Sequence, residues 1–149
     1  MTMTVKDELA LVSPCGIYCG DCACYKVKDN PALLPTLLTH GLKEEQLPCP
    51  GCRAVDGNCP HLEERCENYI CAEKHQVELC HQCEDFPCPK LHPASDRANM
   101  LPHNLKMYSQ CYIQRHGVQA WIDNLPQIKL RYFTGKISFG KGPQLPNET

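Results

Sequence analysis

Twelve of the thirteen cysteines lie between Cys15 and Cys88, and their spacing is that of metal ligands. They read Cys15-x3-Cys19-x2-Cys22-x-Cys24, then Cys49-x2-Cys52, Cys59, Cys66, Cys71 and Cys80-x2-Cys83-x4-Cys88. A CxxC step lets two thiolates from one tight turn reach the same ion, and tetrahedral sulfur sites are usually built from two such hooks. All twelve are candidate ligands. Twelve thiols supply at most three sets of four, so two or three Zn2+ ions are expected. The rival reading of the same cysteines, a disulfide framework, fits less well. The count is odd, and CxxC pairs suit metals better than bridges.

An iron–sulfur cluster is the alternative cofactor. Cys15-x3-Cys19-x2-Cys22 has the spacing by which radical-SAM enzymes hold a cluster with an open iron. That chemistry needs a large parallel α/β barrel, for which this chain is too short and too often interrupted by cysteine and proline. Cys80-x2-Cys83-x4-Cys88-Pro89 is faintly similar to the ferredoxin CxxC…CP run, without its full set of ligands. An electron-transfer protein is therefore one alternative function.

Little here points to catalysis. No Ser-His-Asp or Cys-His arrangement stands out. Catalytic zinc keeps a position open to water, with His or carboxylate ligands, whereas all-thiolate sites are closed. An enzyme is not the expectation, and a structural role for the metal is. His61 and His75 are substitute ligands; His81, inside the Cys80–Cys83 hook, should point away from the ion. Gly135-Lys-Ile-Ser-Phe-Gly140-Lys141-Gly142 comes one residue from a phosphate-binding loop. Gly142 stands where the magnesium-binding hydroxyl belongs, and no helix can follow, so it reads as a basic glycine-rich loop.

The elements that must position these thiols are short. The pattern predicts a helix over 4–12, stopped at Ser13-Pro14. A glycine-rich knuckle follows over 15–24, then a helix over 31–47 carrying a leucine stripe. Cys59-Pro60 reads as a helix start with proline at its first position, placing Leu62, Cys66, Tyr69 and Ile70 on one face. Cys59 and Cys66 would then lie about 10 Å apart, a long reach for one ion. Cys66 and Cys71 could share one only if the helix broke near Cys71. Pro87, Pro89, Pro93 and Pro102 punctuate a loop. Residues 103–124 predict a helix interrupted at Gly117, with Cys111 as a core residue on its apolar face. Residues 128–139 look strand-like in places, and 140–149 look like a loose tail. The expected fold is a small α-rich, metal-stabilised domain with irregular cysteine knuckles and a C-terminal helical segment. It is read as a single domain over 1–149, with a cysteine-rich metal-binding part over 13–91 and a basic helical part and tail over 92–149. Metal would supply folding free energy that a thin core cannot, about 10–16 kcal/mol per structural zinc site.

Cys15-Gly-Ile-Tyr-Cys19-Gly-Asp-Cys22, Cys49-Pro-Gly-Cys52 and Cys71-Ala-Glu-Lys-x4-Cys80-x2-Cys83-x2-Phe86-Pro87-Cys88 together resemble a microbial cysteine-rich family, domain of unknown function 3795. The resemblance covers about residues 13–91. It implies zinc binding without an established activity, and it implies Cys15, Cys19, Cys22, Cys49, Cys52, Cys66, Cys71, Cys80, Cys83 and Cys88 as the recurring cysteines. Cys24 and Cys59 are less typical of it.

The formal charge of -2 hides an asymmetry. Residues 1–88 carry 7 Lys and Arg against 14 Asp and Glu, and residues 89–149 carry 8 against 3. The two parts should attract each other within the fold. Otherwise Lys106, Arg115, Lys129, Arg131, Lys136 and Lys141, with Tyr132 and Phe133 as stacking rings, would make a nucleic-acid-binding zinc module. That alternative is not favoured; an interaction module with an unknown protein partner is. No apolar run reaches the roughly 18 residues of a membrane span, and the start is polar, so a cytoplasmic protein without a membrane partner is expected.

Overall fold

The computed structural model describes residues 2–91 and 103–148; the predicted loop prolines Pro93 and Pro102 fall outside them. The first helix, α1, spans Val5–Ala10. Its start is set by a reciprocal cap: the Thr4 hydroxyl accepts the Asp7 amide at 3.2 Å, and the Asp7 carboxylate accepts the Thr4 amide at 3.0 Å. Two otherwise unpaired end donors are thus satisfied. The knuckle follows, closed by a bridge between Val12 and Tyr18, and it leads through a 3-10 turn at Cys19–Asp21 into α2, Ala23–Lys26.

Two of the expected helices are shorter than the pattern predicts. Over 31–47 only Leu34–Thr39, α3, is α-helical. Pro31–Leu33 and Glu44–Gln46 are 3-10 turns, and Gly41, at φ +84, reverses the chain between them. A residue in that left-handed region ends a helix whatever the leucines prefer. The leucine stripe still packs: Leu37 and Leu42 bury with Cys24, Val27 and Cys49 as a small core of their own. The helix predicted from Cys59 does not form there. α4 is Glu67–Lys74, with Cys66 as its N-cap. Residues 59–65 are turns because their ends are tied back to the preceding loop. The Cys66 amide donates to Gly57 O at 2.9 Å and Arg65 Nε to Asp56 O at 2.6 Å. Cys59 and Cys66 therefore share no helix face.

The C-terminal part is a pair of packed helices, α5 over His103–His116 and α6 over Val118–Thr134, hinged at Gly117 with φ +87. α6 runs well beyond 124. Trp121, Ile122, Leu125 and Ile128 recur at helical spacing and are all buried, which explains why the strand-like residues 128–134 are helical. Beyond them Lys136–Ser138 (β1) pairs antiparallel with Gly142–Gln144 (β2), Ser138 opposite Gly142. The predicted loose tail is thus a hairpin, fastened by an ion pair between Arg131 and Glu148. Cys111 corrects another expectation: it is exposed on α5, because Ile113, two positions on, takes the buried face instead.

The main core joins this helical pair to the cysteine-rich part: Val12, Leu79 and Ile113 pack with the buried face of α6. Polar bonds seal the joint. The fully buried Gln110 donates from Nε2 to Pro14 O at 2.8 Å and accepts the His81 amide at 3.0 Å. The Cys80 amide also donates to Pro14 O, at 2.9 Å. One carbonyl thus ties both cysteine knuckles to α5. Gly16 makes the approach possible: its φ is +93, and a Cβ there would meet Gln110 Nε2 and Ser109 Cβ at 3.1 Å. Gly16→Ala is expected to cost about 1–2 kcal/mol from the backbone alone, and more if α5 is displaced. Urea denaturation of metal-loaded protein measures this, and an unchanged midpoint would refute it.

Candidate metal centre

All thirteen thiols are free of disulfides, and of the twelve clustered ones Cys15, Cys24 and Cys49 are buried while the rest are partly so. They arrive from three stretches. The first is the knuckle, Cys15 to Cys24. The second is the Cys49–Cys52 turn, and the third runs from Cys59 through α4 to Cys88. Backbone bonds fix how the stretches lie against each other. The Cys49 amide donates to Cys24 O at 2.8 Å, while the Cys52 amide donates to Cys19 Sγ at 3.3 Å. Gly57 then donates to Cys52 O, and Cys66 to Gly57 O, at 3.0 and 2.9 Å.

His61, a substitute ligand in the sequence reading, is drawn into the centre. Its Nε2 lies 3.3 Å from Cys24 Sγ and 3.6 Å from Cys22 Sγ. Zinc–sulfur bonds of about 2.3 Å and zinc–nitrogen bonds of about 2.0 Å at a tetrahedral angle separate the donors by about 3.5 Å. The observed spacing is that of ligands sharing an ion. Cys22, Cys24 and His61 have donor atoms all within 4.8 Å of one another, as do His75, Cys83 and Asp85, and each set offers the donors of a metal site. Cys19, Cys49, Cys52 and Cys59 line one cavity of about 40 Å³ together with the first set. His81 belongs to neither set.

A recurring local bond marks these sulfurs. Cys83 accepts the Asp85 amide two residues ahead at 3.4 Å, and amides at the same offset, of Ile17, Cys24, Gly51 and His61, act to lower Cys15, Cys22, Cys49 and Cys59. An amide aimed at sulfur favours its anionic form. Gly51 takes φ +118 to make its turn, with Leu11 Cδ2 3.1 Å from where its Cβ would be.

Electrostatics reports the same crowding. Burial pushes Cys19 up to about 11, aided by Cys15, Cys22 and Cys49 and opposed by the Cys52 amide. Burial raises Cys24 to about 12, with Cys22, Cys49 and Cys59 adding to it. Cys52 rises by burial and then through Cys19, Cys15, Cys66 and Cys59. Cys80 is raised to about 12 by burial and then by Cys15, Cys88, Cys71 and Cys83. For Cys22 burial acts upward, but the His61 ring and the Cys24 amide outweigh it and the thiol is lowered. Neutral sulfur is what crowding and burial enforce on a metal-free cluster; a bound dication removes that penalty and takes the protons' place.

The basic residues are largely occupied with the rest of the chain. Lys106 is buried and its charge acts on Cys15. Lys129 pairs with Asp21 beside the knuckle at 3.1 Å, and Arg131 with Glu148. No helix among the described residues is long and apolar enough to cross a membrane.

Among curated proteins and among solved structures, none matches this chain. Residues 11–93, from the end of α1 past the Cys80–Cys88 cluster, match the family described as protein of unknown function (DUF3795). That stretch is more than half the chain and contains every cysteine gathered in the knuckles, and the chain belongs to this family.

Proposed function

We propose that this is a zinc-binding protein whose metal is structural, holding two or three ions in its cysteine knuckles, and that it serves as an interaction module. The observation that carries the reading is the convergence of Cys22, Cys24 and His61 at tetrahedral ligand spacing among sulfurs that accept backbone amides. The donor set fits: sulfur and imidazole suit zinc, and closed, buried sites suit a structural ion. When bound, zinc would supply cross-links among three stretches that otherwise lack a continuous apolar core. The residues around the cavity orient those donors and exclude water from them. No catalytic role is assigned. A cytoplasmic setting, where thiols stay reduced, accords with thirteen unpaired cysteines.

A protein partner is favoured over nucleic acid. Lys106, Lys129 and Arg131 are engaged within the fold, so the basic face is reduced to Arg115, Lys136 and Lys141. The exposed rings of Tyr108, Phe133 and Phe139 are suited to protein contact.

Element analysis of freshly purified, untagged protein tests the reading. Two or three zinc per chain are expected. Less than one zinc, or stoichiometric iron with acid-labile sulfide, would replace it with the electron-transfer alternative.

A further inference from the structure

We propose that His75, Cys83 and Asp85 hold a zinc ion of a different kind: exchangeable, bound by three donors of the chain and open to solvent at its fourth position. This rests on the zinc reading above and goes beyond it by setting one ion apart from the structural ones.

The way α4 ends brings the donors together. His75 is its C-cap, with its amide on Cys71 O at 3.0 Å. Gln76 then takes φ +55, and the Val77 amide returns to Ala72 O at 3.0 Å, which stops the helix and turns the chain back. Beyond that reversal the Gln82 side chain accepts the Glu78 and Leu79 amides at 3.0 and 2.9 Å. Residues 78–82 are thereby closed into a loop anchored by the buried Leu79. Cys83 follows the loop directly, and its sulfur accepts the Asp85 amide at 3.4 Å, which folds the carboxylate back beside it. These bonds belong to the backbone and Gln82, so the arrangement does not depend on the ion it would hold.

The three donor atoms all lie within 4.8 Å of one another, with His75 Nε2 3.9 Å from Asp85 Oδ2. Nitrogen and oxygen on one tetrahedral zinc stand about 3.3 Å apart, so closing the set takes shifts of roughly an ångström. Asp85 has the freedom for them, its side chain being 67% exposed. A plain surface ion pair would account for the histidine and the carboxylate, but it gives no reason for a half-buried thiol beside both. The rival partners for Cys83 are Cys71, Cys80 and Cys88. Among the described residues, no set of three donors within that distance pairs it with any of them.

Donors and exposure set this site apart from the Cys22, Cys24 and His61 set. A carboxylate stands in place of a thiolate, and His75 lies at the surface with Asp85, whereas Cys24 is buried. Three protein donors leave zinc a fourth position, which at an exposed site goes to water. An ion so held is within reach of chelators and small anions. The segments it joins are already tied through Gln82 and the cap of α4, so its removal should leave the fold standing.

Transfer of zinc from the loaded full chain to a chromophoric chelator tests this. One equivalent should leave in a fast phase, ahead of the remainder. His75→Ala and Asp85→Ala should each abolish that phase and leave one zinc fewer per chain, with the slow phase and the helical signal unchanged. The affinity lost should exceed the roughly 10–100-fold that removing a mere supporting partner of a ligand costs. When the fast equivalent is replaced by cobalt(II), azide should shift the visible bands of the parent, which reads the open position. Variants with the parent's zinc content and release phases would overturn the proposal. So would a Cys83→Ser protein that loses an ion which His75→Ala keeps, since Cys83 would then belong to an all-thiolate set. A His75→Ala protein that loses helix along with its ion would also overturn it, by making that ion structural. Zinc still binds in each of these cases; a chain that takes up none would overturn both readings.

Discussion

Stripping the metal with a strong zinc chelator is expected to unfold most of the chain, the helical pair included. A structural zinc site contributes about 10–16 kcal/mol at neutral pH, and a domain of this size has only about 5–15 kcal/mol of net stability. Loss of one centre is therefore comparable to the whole. The helices follow because their core is shared. Val12 precedes the Cys15 knuckle, Leu79 precedes Cys80, and both pack into the cluster that buries α6. Gln110 loses its two fixed partners when the Pro14 and His81 backbones are released. Far-UV circular dichroism during chelation should show a large loss of helical signal, restored by added zinc. A chelated protein that keeps its helix and a cooperative thermal transition would show that the metal is not what holds this fold together.

Spacing alone made the cysteines readable as candidate ligands, because a CxxC turn has few other uses and twelve clustered thiols cannot all be core. The ligand sets were not readable from it. Spacing says which thiols are near in sequence, whereas Cys24 meets Cys49, and His61 meets Cys22 and Cys24, through contacts that cross 25 to 39 positions. His61 was visible as a histidine two residues after Cys59, yet nothing local distinguished it from His75. The helices divide along the same physical line. α5 and α6 have an apolar face long enough to declare itself, and Gly117 marks their boundary. Residues 31–47 and 59–65 carry apolar residues at helical intervals, but Gly41 at positive φ and the Cys66–Gly57 bond decide otherwise, and neither is encoded in periodicity. Cys111 misled because the buried face of α5 is partly polar: Lys106, Ser109 and Gln110 occupy it, turned toward the knuckles.

Trp121→Ala should be the most damaging substitution outside the cysteines. The indole is 1% exposed at the centre of the main core, and its ring meets Tyr18 edge-on with centroids 6.3 Å apart. Truncating a buried tryptophan costs about 3–5 kcal/mol through lost transfer energy and the cavity left behind. The aromatic pair contributes a further ~0.5–1.5 kcal/mol. Tyr18 lies between Cys15 and Cys19, so the loss loosens the knuckle as well as the core, and zinc transfer to a chromophoric chelator should become faster. Trp121→Phe separates packing from polar bonding. Indole Nε1 finds no acceptor among the described residues, so phenylalanine forfeits no hydrogen bond there and retains a ring against Tyr18. It should cost less than half as much as alanine and leave the rate of metal transfer close to the parent's. Urea denaturation of the zinc-loaded proteins measures the first difference and chelator kinetics the second. An alanine variant within about 1 kcal/mol of the parent would mean that α6 does not clamp the knuckle through this contact.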